Sequence, residues 1–222
     1  ILAGGSSIPA GLVSRAYALG MPLHLTYGST EMGSQVTTTG VGADQMELKT
    51  SGALLPYREA TTAASGELLV RGQTLCKGYW QDGGIRPCVD IDGWFHTGDA
   101  GVFGDDGRLT VSGRLDRMFI SGGENIFPEE IEEALMASVG VRRAAAVAVP
   151  DAVYGERPAA FIETQADGPS EAEVKRLLAD RLPKFKVPDA IWPWPEDYPQ
   201  GGLKVDLPFL KRRAAELIGS GR

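Results

Sequence analysis

Tyr27-Gly28-Ser29-Thr30-Glu31 brings hydroxyls, a glycine and a carboxylate together directly after an apolar run. A glycine at a strand end lets backbone N–H groups face an anion. A threonine hydroxyl can bond a phosphate oxygen, and a carboxylate can hold Mg²⁺. The same five residues also suit an ordinary strand-end turn with a helix cap. Gly93-Trp94-Phe95-His96-Thr97-Gly98-Asp99 offers a second set. Two acceptor oxygens on Asp99 match the two donors of a vicinal diol, although an aspartate in a Gly-Asp turn is often structural. A charged turn, Arg114, Asp116 and Arg117, leads into an apolar strand, the pair Gly122-Gly123 and a helix opened by Pro128. Paired glycines, here and at Gly4-Gly5, allow backbone to approach a ligand closely or simply make tight turns. Lys204 follows a glycine pair near the C-terminus, where it reads alone as surface charge. His96 reads as a partly buried strand histidine with a structural hydrogen bond, and His24 lies in an apolar strand, so a histidine-based triad has little support.

These groups need elements to hold them. Ile1 to Ser7 reads as a strand ending in a turn, with a helix from Pro9 to Gly20 and a buried strand over Leu23–Tyr27. That order makes an α/β unit with its crevice at the strand ends. Between about 46 and 112, short strands broken by glycine, such as 66–72 and 107–111, predict a small antiparallel sheet or distorted barrel. Beyond 116, helix and strand alternate: a helix over 128–137, strands near 144–149 and 159–164, and helices over 170–182 and 207–218. Residues 183–199, rich in proline and tryptophan, read as an ordered loop. Glu129, Glu130, Glu132 and Glu133 favour the helix macrodipole and are expected to face water. A domain boundary is placed at Leu115/Asp116. The first residue is not methionine and the chain opens on a strand, which reads as part of a longer protein.

Composition narrows the classes. A chain of 222 residues, 43% hydrophobic and 23% charged, can bury a core and is ordinary for a soluble protein. A formal charge of −7 leaves no basic stripe for nucleic-acid phosphates. Cys76 and Cys88, twelve apart with no histidine nearby, imply neither a zinc site nor a disulfide framework. A reducing cytoplasm is expected, and no run of the sequence has the length of a membrane span.

The order of the motifs resembles the adenylate-forming enzymes: acyl-CoA synthetases, luciferases and peptide-synthetase adenylation domains. Residues 27–31 match Y-G-x-T-E, 4–9 match G-G-A/S-x-x-P, 94–99 match W-x-x-T-G-D and 113–116 match G-R-x-D. Leu182-Pro183-Lys184-Phe185-Lys186-Val187-Pro188 is similar to L-P-x-Y-K-V-P and sets the register for Lys204. The family's lysine loop reads P-x-T-x-x-G-K; here one residue is missing and Leu203 stands before Lys204.

The resemblance implies the end of a large AMP-binding domain over 1–115, an α/β unit with a small barrel-like sheet. A small mobile α+β domain over 116–222 follows, with its hinge at Asp116. It implies that Thr30 contacts the α-phosphate and Glu31 the metal. Gly4, Gly5, Tyr27 and Gly28 would line the adenine and acyl pocket, Asp99 would bind the ribose and Arg114 the nucleotide. Lys204 would serve adenylation, and Gly122-Gly123 would line the thiol tunnel.

ATP/AMP, Mg²⁺ and CoA follow as cofactors. Gly33-Ser34-Gln35-Val36-Thr37-Thr38 and the Gly-Gly-Leu-Lys loop look most like o-succinylbenzoate–CoA ligases of menaquinone biosynthesis. Another aryl- or acyl-CoA ligase, or a non-catalytic nucleotide- or partner-binding remnant, are the alternatives. The family's phosphate-gripping loop has no counterpart within residues 1–222. The missing segment of the same enzyme is therefore an expected partner, with little adenylation expected from the chain alone. A homodimer is also admissible.

Overall fold

The computed structural model describes residues 1–166, 168–199 and 205–220. The chain divides into two compact units, Ile1–Asp116 and Arg117–Arg222. Its architecture is mixed: α/β in the first unit and α+β in the second, the fold class expected from the sequence.

In the first unit, β1 (Leu2–Ala3) runs parallel to β2 (His24–Ser29), joined by α1 (Ala10–Ala18). The Pro9 carbonyl accepts from the Leu12 and Val13 amides to start α1, and Gly20, at φ +67°, ends it. β2 continues antiparallel to β3 (Ser34–Thr38), which pairs with β4 (Ala53–Leu54). β5 (Arg58–Thr62), β6 (Glu67–Gly72), β9 (Phe95–Phe103) and β10 (Leu109–Arg114) form an antiparallel sheet in the order β10-β9-β6-β5. Between β6 and β9 lies the hairpin of β7 (Tyr79–Gln81) and β8 (Gly84–Arg86). Met32, Val36, Val70 and Phe95 form a buried cluster in this unit, with Tyr27, Leu75 and Cys88 packed on it.

The second unit is organised on one long hairpin, β13 (Val141–Asp151) with β14 (Gly155–Thr164). β11 (Phe119–Ser121) and β12 (Glu124–Ile126) form a short hairpin that joins β14 at Ser121 opposite Gly155. Helix α2 (Pro128–Met136) has its proline at the first turn, where a missing N–H costs nothing. Helix α3 (Glu171–Ala179) begins with a capping box between Ser170 and Glu173. Ile131, Leu135, Val174 and Leu178 pack with Ala146, Ala160 and Ile162 on one face of the sheet. On the other face, Leu210 and Ala214 of α4 (Leu207–Ser220) pack with Ala145, Val147, Val149, Ala159 and Phe161.

Two expectations change. Residues 183–199 are not all loop: β15 (Ala190–Pro193) runs parallel to β14, with Ala159 opposite Ala190 and Ile162 opposite Pro193. The surrounding prolines hide this strand in the sequence, and Pro193 is tolerated because it closes an edge strand. The acidic run opening α2 is also only partly solvated. Arg117 binds Glu129 at 3.1 Å and Glu132 at 2.6 Å, Lys186 binds Glu130, and the Ala146 amide donates to Glu132 at 2.9 Å. Glu133 alone of the four is exposed, as expected.

Candidate nucleotide-binding site

The first unit brings three of the sequence-derived site residues together, two of them by cross-strand register. Arg114 of β10 stands directly opposite Asp99 of β9. Arg114 Nη1 donates to Asp99 Oδ1 at 3.1 Å and to the Thr97 carbonyl at 2.8 Å. From β2, the Tyr27 hydroxyl donates to Asp99 Oδ2 at 2.6 Å. The Asp99 amide in turn donates to Thr97 Oγ1 at 3.0 Å, and that hydroxyl donates to the Leu68 carbonyl at 2.7 Å. Asp99 is therefore a largely buried carboxylate, its side chain 18% exposed, with each oxygen already oriented by a donor. Each oxygen has two acceptor sites, so capacity remains for a diol. Burial, then the bond to Asp99, pushes the Tyr27 phenol well above its usual range and fixes it as a donor.

Arg114 also grips Asp116 with a two-pronged contact, Nε to Oδ1 at 3.1 Å and Nη2 to Oδ2 at 3.2 Å. The guanidinium stays positive because Asp116 first, and Asp99 with it, favour the charged form. Gly98 lies beneath it at φ +70°, a conformation that favours glycine, and a Cβ there would displace the guanidinium, meeting Nη2 at 2.9 Å.

Thr30 lies on the exposed turn after β2, its carbonyl accepting from Gly33 at 3.0 Å. Glu31 Oε1 accepts from the Tyr79 hydroxyl at 2.7 Å, the main reason its carboxyl titrates below the usual range. The same bond pushes the Tyr79 phenol up to about 12. Gly28 has a structural reason to be glycine: a Cβ would meet the Ser34 carbonyl oxygen at 2.0 Å, at the register shift between β2 and β3. A Cβ on Gly4 would meet Thr26 at 2.5 Å, while Gly5 stands open at φ +85°. In the second unit Gly122 and Gly123 make the β11–β12 turn at φ +58° and +91°, and the Gly122 amide donates to the Tyr154 carbonyl at 3.0 Å. Lys204 lies outside the described residues.

Thr97 and Tyr79 are the residues that the sequence reading did not single out. Thr97 sits inside a quoted motif, so its hydroxyl was available as a signal; Tyr79 is forty-eight residues from Glu31, and nothing in the sequence links them. Among the described residues no cluster of three or more metal-ligating side chains occurs. An ionised Glu31 nevertheless fits Mg²⁺, which commonly takes one or two carboxylates and completes its shell with phosphate oxygens and water.

A carboxylate with oriented oxygens, an adjoining arginine and a separate ionised glutamate make this surface a candidate for holding a nucleotide. Comparison with known proteins bears on the family. Residues 130–200 match the AMP-binding enzyme C-terminal domain. The 2-succinylbenzoate–CoA ligase of Salmonella typhimurium is 36% identical over 97% of this chain and 46% of its own length. An arginine-to-lysine variant of Escherichia coli MenE with bound OSB-AMS superposes with a TM-score of 0.80, at 32% identity, over 97% of this chain and 46% of that one. The Bacillus subtilis o-succinylbenzoate coenzyme A synthetase, MenE, in complex with ATP and magnesium ion, gives 0.77 at 29% identity, over 87% and 42%. The chain belongs to the adenylate-forming ligase family and corresponds to the C-terminal part of its members. It spans about half the length of the curated relatives it matches. No described helix is long and apolar enough to cross a membrane.

Proposed function

We propose that this chain supplies the ribose-holding and hinge portion of an o-succinylbenzoate–CoA ligase. The carrying observation is Asp99, held by Tyr27 and Arg114 with its acceptor sites oriented. In this reading Asp99 accepts from the ribose hydroxyls, and Arg114 contacts the nucleotide while holding Asp116. Thr30 bonds the α-phosphate. Mg²⁺ held by Glu31 and phosphate oxygens would offset charge during attack of the substrate carboxylate on the α-phosphorus. Lys204 acts on the same developing charge. After adenylation the chain turns about Asp116, and the Gly122-Gly123 segment replaces the lysine-bearing face so that the CoA thiol can reach the acyl-adenylate.

AMP binding to the 222-residue chain, measured by calorimetry, tests the core of this reading. Asp99→Ala should weaken AMP at least about tenfold, the equivalent of about 1.4 kcal/mol. Equal affinities would remove Asp99 from the ribose role. Pyrophosphate release from the same chain with ATP and o-succinylbenzoate tests the expectation of little adenylation alone. Fused behind the preceding segment of a relative, the chain should form AMP with o-succinylbenzoate and CoA. Preference for a different aryl or acyl acid would reassign the substrate within the family.

A further inference from the structure

Cys76 and Cys88 flank the β7–β8 hairpin, and their sulfurs lie 3.6 Å apart. Both are free and partly accessible. Three contacts set this meeting. The Cys76 amide donates to the Glu31 carbonyl at 2.7 Å. Gly78 presses onto the opposite arm so closely that a Cβ would meet the Arg86 carbonyl oxygen at 2.0 Å and the Pro87 Cα at 2.9 Å. Val89 then bridges to Phe95 of β9, and Cys88 packs against the buried cluster of the first unit. The arms are thus held together at their base by backbone, with the two thiols facing each other.

We infer that Cys76 and Cys88 form a reversible disulfide with a low-molecular-weight disulfide as oxidant, clasping the hairpin that carries Tyr79 against Glu31. One cysteine thiolate attacks the small disulfide, giving a mixed disulfide and one released small thiolate. The second cysteine thiolate then displaces the other small thiolate and forms the Cys76–Cys88 bond. The small molecule is reduced to two thiols, which take up the two protons the cysteines lose. Bonding requires the sulfurs to close to about 2.05 Å, a movement of roughly 1.5 Å. Burial and the contact with Cys76 hold the Cys88 thiol above its usual range. Intracellular disulfides that are not structural are usually transient and redox-sensing. The clasp lies at the foot of the hairpin whose Tyr79 hydroxyl reaches Glu31. Any effect on catalysis through Glu31 rests on the proposed function; formation of the clasp does not.

The experiment is incubation of the folded chain with graded ratios of oxidised to reduced glutathione. Thiol counting with N-ethylmaleimide and mass mapping of the peptides follow. The expected result is loss of both free thiols together, a mass lower by two hydrogens, a peptide pair linked through residues 76 and 88, and full recovery with dithiothreitol. Cys76→Ser and Cys88→Ser should each stop at the mixed disulfide with glutathione. Two labelled thiols in the wild-type chain at every ratio would overturn the inference, as would linkage only between separate chains. The wild-type outcome decides it even if a serine variant folds poorly.

Discussion

Replacing Arg117 by methionine should destabilise the second unit by about 3 kcal/mol. Arg117 binds Glu132 through two nitrogens, at 2.6 and 3.1 Å, and Glu129 at 3.1 Å. Its side chain is 20% exposed, and those of Glu129 and Glu132 are 15% and 20% exposed. Removing one partner of a buried pair costs about 3–5 kcal/mol because a charge is left behind; residual exposure favours the lower end. Methionine keeps much of the stem's packing, so the loss reports the charge and hydrogen bonds. For a unit of this size, roughly 4–8 °C per kcal/mol applies, predicting a melting temperature lower by roughly 12–24 °C. Because two units can melt separately, amide exchange along β13 and β14 is the cleaner assay. Glu132→Gln is the control: it keeps an acceptor for the Ala146 amide and removes the charge. A double-mutant cycle of the two substitutions isolates their coupling. A loss below about 1 kcal/mol for Arg117→Met would place the pair among ordinary surface ion pairs and refute the reasoning.

His96 should titrate above its ordinary value, because Glu67 at 2.9 Å and Asp90 at 3.2 Å flank its two ring nitrogens. A neutral imidazole has one N–H and cannot donate to both; the charged form can. A pKa raised on folding gives stability that is full below the unfolded value near 6.5 and is lost as pH rises through the folded value. Difference melting curves between wild type and His96→Gln should show this over roughly pH 5–8.5, and a flat difference would exclude it. Gly52→Ala should cost roughly 2–3 kcal/mol or more in denaturant unfolding, since φ is +76° and the new Cβ would meet the Thr38 carbonyl at 2.0 Å. Ser170→Ala should cost about 1 kcal/mol by breaking the α3 capping box, detectable as faster amide exchange in the first turn of α3.

The mixed fold was legible in the sequence because its signals are local. Pro128 opens α2, Gly20 closes α1, and alternating strands mark the sheets on either side of the charged turn. The candidate-site residues stand out through motif order, since Tyr27, Asp99 and Arg114 each sit in a recognisable short pattern. What brings them together was not legible. The pairing of Arg114 with Asp99 depends on a register shift between Val111 and Gly113, which no residue type announces. Glu132 was misread for a related reason. Its place in the acidic run of the first turns, favoured by the macrodipole, set it facing water, while the charge it meets comes from Arg117, ahead of the helix, and the amide from β13.

The β13–β14 hairpin separates the second unit's interior into two sets of neighbours. Ala144, Ala146 and Ala148 belong with the cluster under α2 and α3, whereas Ala145, Val147 and Val149 belong with the cluster under α4. Adjacent residues in one strand therefore answer to different helices. Substitutions on opposite faces should combine nearly additively, while those on one face should show epistasis. Sequence drift can then repack the α4 side without compensating changes beneath α2 and α3, although the affected positions alternate one by one along the same strand.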